Sequence, residues 1–192
     1  MLPQFSWKSF SPKDALYVFA LESEAAGEFA QHNLLFTGIG KVNATYALTK
    51  YLAYHKPSVI INLGSAGSRA HRKGTLVSCT RFVQRDMDVR GLGFQQYETP
   101  LSQVPVVLEY GMRFDGIVEA TCGSGDSFEM NHRADAYDVV DMEAYALALI
   151  AHKEQCPFLC LKYISDGADG LAADDWSEHV HRAARAFASV LL

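Results

Sequence analysis

Hydrophobic and polar positions fall into short blocks along this chain. Ala15 to Leu21 is an unbroken apolar run, the pattern of a strand buried on both faces. Glu22 to His32 then predicts a helix. Leu34 to Thr37 is a second apolar run, stopped by Gly38 and Gly40. Val42 to His55 places Val42, Tyr46, Ala47 and Leu52 at helical spacing, and Pro57 ends that helix. The β-branched content of Val59 to Leu63 predicts a strand that opens into Gly64-Ser65-Ala66-Gly67, a small-residue turn able to bring backbone N–H groups close to a ligand. From Thr75 to Val118 the pieces are β-like but broken by Arg85-Asp86-Met87-Asp88 and Gly91-Leu92-Gly93-Phe94, and the pattern does not place their strands. Ile117 to Thr121 reads as a strand leading into Gly123-Ser124-Gly125-Asp126. Val139-Val140 is a brief strand before a helix over Glu143 to His152. Phe158 to Ile164 is the last strand, opening into Ser165-Asp166-Gly167-Ala168-Asp169. A closing helix over Trp176 to Leu191 carries Val180, Ala184, Phe187 and Leu191 on one side.

Strands alternating with helices predict a three-layer α/β fold with a largely parallel central sheet, and 192 residues suffice for a single domain, 1–192. In such folds ligands bind at the carboxyl ends of strands. The polar signals fall there: Glu24, Gly64 to Gly67, Gly123 to Asp126, Asp141 to Glu143, and Ser165 to Asp166.

Composition narrows the partners. Apolar residues make up 49% and charged residues 20%, the balance of a packed protein, and the net charge of −5 leaves no basic surplus for nucleic acid or an anionic membrane. No apolar run reaches the roughly 18 residues of a membrane span, and the first residues lack a signal-peptide pattern, so a soluble cytoplasmic protein is expected. The cysteines Cys79, Cys122, Cys156 and Cys160 read as buried free thiols. Pro157 breaks any helical pairing of Cys156 with Cys160, and His179 and His181 point to different helix faces, so no metal site is expected.

Several chemistries lack their motif. Gly38-Ile39-Gly40-Lys41-Val42-Asn43 has no third glycine for a dinucleotide fingerprint, no Gly-Lys-Ser/Thr loop occurs, and Gly123-Ser124-Gly125 lacks the spacing of a hydrolase nucleophile elbow. Carboxylates at strand ends remain. They suit acid-assisted departure of a leaving group with electrostatic support for a cation.

In this order, the segments TGIGKVNA, INLGSAGS, GSGDSF, VDMEA and YISDGAD resemble the purine nucleoside phosphorylase and nucleosidase superfamily, above all the methylthioadenosine/S-adenosylhomocysteine nucleosidases. The likeness spans Leu16 to the closing helix. It implies cleavage of a purine–ribose bond through an oxocarbenium-like transition state, with Asp166 as the acid at N7 of the base and Ser165 orienting it. It implies Glu143 on the ribose hydroxyls, Met142 beneath the ribose, and Glu24 beside the attacking water, with Glu22 as an alternative in a shifted register. Ser65, Ala66 and Gly67 would line the nucleophile and base sites, Phe128 would stack on the purine, and backbone near Val140 would face the same pocket. The segment RDMDVRGLGFQQYETP resembles a loop that covers a neighbour's 5′ substituent across a homodimer interface, with Leu92, Phe94 and Pro100 at the matching places. Structural alternatives stay open: Ser165-Asp166 as a turn cap, Glu143 as a helix-start carboxylate, Glu24 as a solvated first-turn residue, Phe128 as core.

The chain also departs from the family pattern. Lys162 stands where the nucleosidases carry an arginine that holds the water-binding glutamates, and an ammonium does not reproduce a planar fork. Few residues separate the first helix from Leu34, where the family inserts a strand pair, so the N-terminal part reads as shortened. Glu129 replaces an apolar residue after Phe128, and Asp141 shortens an acid beside Met142. The expected activity is hydrolysis of a 5′-modified purine nucleoside without cofactor. Rivals are a phosphorylase, with Lys162, Arg69 or Arg85 supplying a phosphate site, and a noncatalytic purine nucleoside-binding protein.

Overall fold

The computed structural model describes residues 10, 13–130, 136–169 and 172–192, of which 172–181 are described as helix backbone. Among the described residues the strands are β1 (Ala15–Phe19), β2 (Asn33–Phe36), β3 (Val59–Gly67), β4 (Leu76–Gln84), β5 (Leu108–Glu109), β6 (Val118–Ser124), β7 (Val139–Asp141) and β8 (Phe158–Asp166). The helices are α1 (Glu22–Ala25), α2 (Lys41–Leu52), α3 (Ala144–Lys153) and α4 (Ala172–Leu191), and a 3-10 turn spans Arg90–Leu92.

All eight strands join one mixed sheet in the order β2-β1-β3-β7-β6-β4-β5, with β8 pairing both β3 and β4. Hydrogen bonding therefore runs round β3, β7, β6, β4 and β8 and curls that part of the sheet back on itself. β3 pairs with β7, β4 with β8 and β4 with β5 in antiparallel fashion; the other pairs are parallel.

Alternation along β1 separates two apolar cores. Leu16 and Val18 join Ala44 and Leu48 of α2 and Ala144, Leu147 and Ala148 of α3, while Tyr17 and Phe19 join Ala25, Phe29, Ala183 and Phe187. Helices thus cover the sheet on both sides. The four cysteines are buried and free.

Four expectations need correction. The predicted helix over Glu22 to His32 is one turn, because Ala26 adopts a left-handed backbone (φ 45°) and Gly27 follows at φ 80°, turning Phe29 onto Tyr17 and Phe19. In α2 the buried side chains are Ala44 and Leu48, whereas Val42 and Tyr46 are exposed. Both pairs repeat every four residues, so spacing alone could not say which faces the core. Gly64 to Gly67 is not a turn but the second half of β3, paired residue by residue with β8 up to a bulge at Ala66/Gly67. Ser165 and Asp166 likewise belong to β8 itself. The side chains of Trp176, His179, Val180 and His181 lie outside the described residues.

Candidate active site

Where the second halves of β3 and β8 meet β7, the fold leaves a cavity of about 230 Å³. Its lining brings together Glu24, Ser65, Ala66, Gly67, Phe128, Val140, Met142, Glu143, Lys162, Ser165 and Asp166, all singled out in the sequence. Leu92, Phe94 and Pro100 are not among them: they lie on the loop between β4 and β5, with Leu92 75% exposed.

Glu24 sits in the single turn of α1, where its Oε2 accepts the Leu21 N–H at 3.1 Å in the manner of a capping residue. Its Oε1 accepts from Ser65 twice, from the backbone N–H at 3.1 Å and from the hydroxyl at 3.0 Å. These bonds lock the carboxylate to β3 and bury it, while Glu22 is exposed and outside the lining. Gly64 leaves the needed room: a Cβ there would lie 3.3 Å from Lys162 Nζ and 3.4 Å from Glu24 Oε1.

Lys162 and Asp141 form an ion pair at 2.8 Å, each side chain only 2% exposed. Burial pushes the Asp141 carboxyl up, but Lys162 and hydrogen bonds from Lys162, Ser124 and the Ala144 N–H overcome it and hold the carboxyl below its ordinary value. Burial pushes the Lys162 ammonium down, yet Asp141 above all and the surrounding thiols raise it well above its usual range. The two departures noted in the sequence are therefore partners. A lysine inside the apolar run of β8 needs a buried counter-charge, and that need was the signal that could have revealed its pairing with Asp141.

Asp141 also takes over the start of α3. Its Oδ2 accepts the Ala144 N–H at 2.9 Å, and its Oδ1 receives the Ser124 hydroxyl at 2.5 Å. Glu143 is thereby released from capping. No side-chain cap bond is made by it, and its Oε1 instead accepts the Gly40 N–H at 2.8 Å across the cavity rim. Burial first, then the nearby Asp141 charge, pushes the Glu143 carboxyl up to about 7 against the opposing pull of Lys162 and the Gly40 N–H. The Gly38 to Asn43 segment, which fails as a dinucleotide motif but lies within the resembling stretch TGIGKVNA, thus supplies a backbone donor to the site.

Asp166, buried at the end of β8, accepts the Ala168 N–H on Oδ1 and the Ser165 hydroxyl on Oδ2, both at 2.8 Å. The residue thus accepts a turn N–H and lines the cavity at once. Ser165 Oγ has a second acceptor in the Ala66 carbonyl at 3.4 Å. Gly67 is required beside it, because a Cβ would fall 2.5 Å from Asp166 Oδ1. Phe128, 48% exposed, is not core; it borders the cavity with Arg85 and Glu129, and Arg85 is paired to Glu129 at 3.2 Å.

Comparison with known proteins agrees with the segments read in the sequence. A family model of the phosphorylase superfamily matches residues 25–120 and 115–192. The 5′-methylthioadenosine/S-adenosylhomocysteine nucleosidase of Haemophilus influenzae is 30% identical over 179 residues, covering 83% of this chain and 78% of its own length. The enzyme of the same name from Bacillus subtilis is 32% identical over 154 residues, covering 69% and 67% respectively. The structure of the Helicobacter pylori 5′-methylthioadenosine/S-adenosylhomocysteine nucleosidase superposes with a TM-score of 0.82 at 19% identity, covering 92% of this chain and 95% of that one. Helicobacter pylori futalosine hydrolase gives the same TM-score and identity, covering 92% and 94%. These structures share the fold, and the family match across both halves adds sequence to shape: the chain belongs to the phosphorylase superfamily.

Proposed function

We propose that this chain is a nucleosidase that uses water to cleave the N-glycosidic bond of a 5′-modified purine nucleoside of the methylthioadenosine and S-adenosylhomocysteine class. The observation that carries this reading is the charge of the cavity. Five carboxyl groups line it, Glu24, Glu129, Asp141, Glu143 and Asp166, against two cations; Asp166 carries its proton as the acid and Glu143 is pushed up to about 7, but both cations are committed to carboxylates, Lys162 to Asp141 and Arg85 to Glu129. Such a lining repels a phosphate dianion and stabilises a cationic ribosyl group. Arg69, the remaining candidate for a phosphate site, is exposed and outside the lining. Phosphorolysis is therefore disfavoured.

In this reading Glu24 accepts a proton from water as it attacks the anomeric carbon, with Ser65 fixing the carboxylate. Glu143 accepts hydrogen bonds from ribose hydroxyls, Met142 packs beneath the sugar, and Phe128 stacks on the base near Val140. Asp166 donates its proton to N7 of the leaving purine. The Ser165 hydroxyl serves both states of that acid. It turns to the Ala66 carbonyl while Oδ2 holds the proton, and donates to Oδ2 once the carboxylate is bare. Lys162 keeps Asp141 ionised, and Asp141 fixes the start of α3 so that Glu143 faces the sugar.

The same reading takes the architecture as a three-layer sandwich with a shortened N-terminal half, supported by helices on both sides of the sheet and by only seven residues between α1 and β2. It also makes the protein a cytoplasmic homodimer in which Leu92, Phe94 and Pro100 cover the partner's 5′ subsite. The exposure of Leu92 and Leu101 on that loop supports an interface. Among the described residues no helix is long and apolar enough to cross a membrane. Chromatography of the products from methylthioadenosine, S-adenosylhomocysteine, adenosine and inosine tests the assignment. Free base from the thio-substituted nucleosides supports it, and intact nucleosides at high enzyme concentration contradict it.

A further inference from the structure

The loop that carries Phe128 leaves Phe128 48% and Met130 56% exposed, with Phe128 bordering the cavity. Arg85, directly after β4, reaches under this loop. Its guanidinium donates to the Ser127 hydroxyl at 3.1 Å, to Glu129 Oε2 at 3.2 Å and to the Gly125 carbonyl at 3.3 Å, and it also donates to the Ser127 carbonyl. The acceptors bracket Phe128 on both sides. The side chain is 5% exposed and lies against Gly125, where a Cβ would come within 2.9 Å of its Cζ. The next residue, Asp86, completes the hold: its Oδ2 accepts the Asp126 N–H at 2.9 Å, and it pairs with Lys41 Nζ at 2.5 Å. Lys41 also donates its backbone N–H to Asp126 at 2.8 Å, one residue after the Gly40 N–H that binds Glu143.

We infer that Arg85 is a positioning residue that sets the base-stacking face of Phe128, with Asp86 and Lys41 tying the same loop to the Gly40 segment over the ribose side. This rests on the proposed stacking role of Phe128. A planar fork with several donors suits this task because one group must satisfy acceptors on three residues at once. Lysine, a point charge, satisfies fewer of them. Arg85 touches no reacting atom. Its effect is on how tightly the base is held, not on the departure of the base once bound.

The test is a double-mutant cycle on Arg85→Met and Phe128→Ala, read as the dissociation constant for adenine by calorimetry and as KM and kcat for methylthioadenosine. Loss of a base–aromatic stack weakens binding by about tenfold. The inference predicts that Phe128→Ala and Arg85→Met each weaken adenine binding and raise KM by about that factor with kcat little changed, and that the double variant is no worse than Phe128→Ala alone. Arg85→Lys falls between Arg85→Met and the parent, and it replaces Arg85→Met in the cycle if the latter does not fold. Additive losses, or full binding in Arg85→Met while Phe128→Ala binds weakly, overturn the role of Arg85 and leave the stacking role standing. Unchanged binding in Phe128→Ala overturns both.

Discussion

Replacing Asp166 by asparagine keeps an acceptor for the Ala168 N–H while removing the proton that the leaving base takes up. Asp166→Asn is therefore expected to lower kcat by about 10²–10⁴-fold with little change in melting temperature, checked by base release and calorimetry. Glu143 carries the opposite trade. Its carboxyl titrates near 7 when folded and near 4.5 in the free chain, so the folded state binds the proton more tightly and stability falls as pH rises from about 4.5 to about 7. Glu143→Gln keeps the acceptor for Gly40 and removes that cost. It should melt higher than the parent at pH 8, by up to about 3 kcal/mol of stability, with the difference vanishing below pH 4.5. Activity of the parent should rise through about pH 7 as Glu143 ionises, and the variant should lose both the activity and that limb. Lys162→Met strands a buried Asp141 charge and should cost about 3–5 kcal/mol in urea unfolding, part of which Asp141→Asn restores in the double variant. The sequence marked Lys162 and Asp141 separately as departures. Their pairing was hidden because it joins β8 to the end of β7 across twenty residues of intervening chain.

At the scale of elements the site depends on β3, β7 and β8 coming close at Gly67, which has no side chain to hold them apart. Gly67→Ala places a Cβ 2.5 Å from Asp166 Oδ1, 3.1 Å from Ala168 Cβ and 3.2 Å from Val140 Cγ2. It should cost about 1–3 kcal/mol and, by displacing the acid, more than tenfold in kcat; parental turnover in this variant would argue against the placement of Asp166. Here the sequence was half legible. Apolar runs marked β1, β3 and β8 because both their faces are buried, and the motifs placed Glu24, Glu143 and Asp166 in one cavity. The strand character of Gly64 to Gly67 was not legible, because it comes from pairing with β8, a contact nearly a hundred residues away, and not from local propensity. The inner face of α2 was not legible either, since alanine and leucine on one side and valine and tyrosine on the other share one period. β4 was missed as a unit: polar and charged residues such as Arg81 interrupt its apolar run, and partners β6 and β8 supply what its own sequence does not.

For the molecule in solution, the proposed homodimer makes a mass prediction. Leu92 at 75% and Leu101 at 97% exposure are an unusual display for a solvated loop, and sedimentation should find a species of twice the 21.2 kDa chain mass. Leu92→Asp should shift that species toward monomer and raise KM for methylthioadenosine more than for adenosine, whose 5′ group is smaller. A monomer in the parent would remove the reason for this loop. Charge decides the chemistry at the same scale: a cavity with more carboxylates than cations, both cations paired, has little to offer an anionic nucleophile. The most direct measurement of that claim is the rate of adenine release from methylthioadenosine as phosphate is raised from none to tens of millimolar, with the sugar product identified. The account predicts full turnover in phosphate-free buffer, no acceleration on adding phosphate, and free methylthioribose as the product. Turnover that appears only with phosphate and yields methylthioribose 1-phosphate would contradict it.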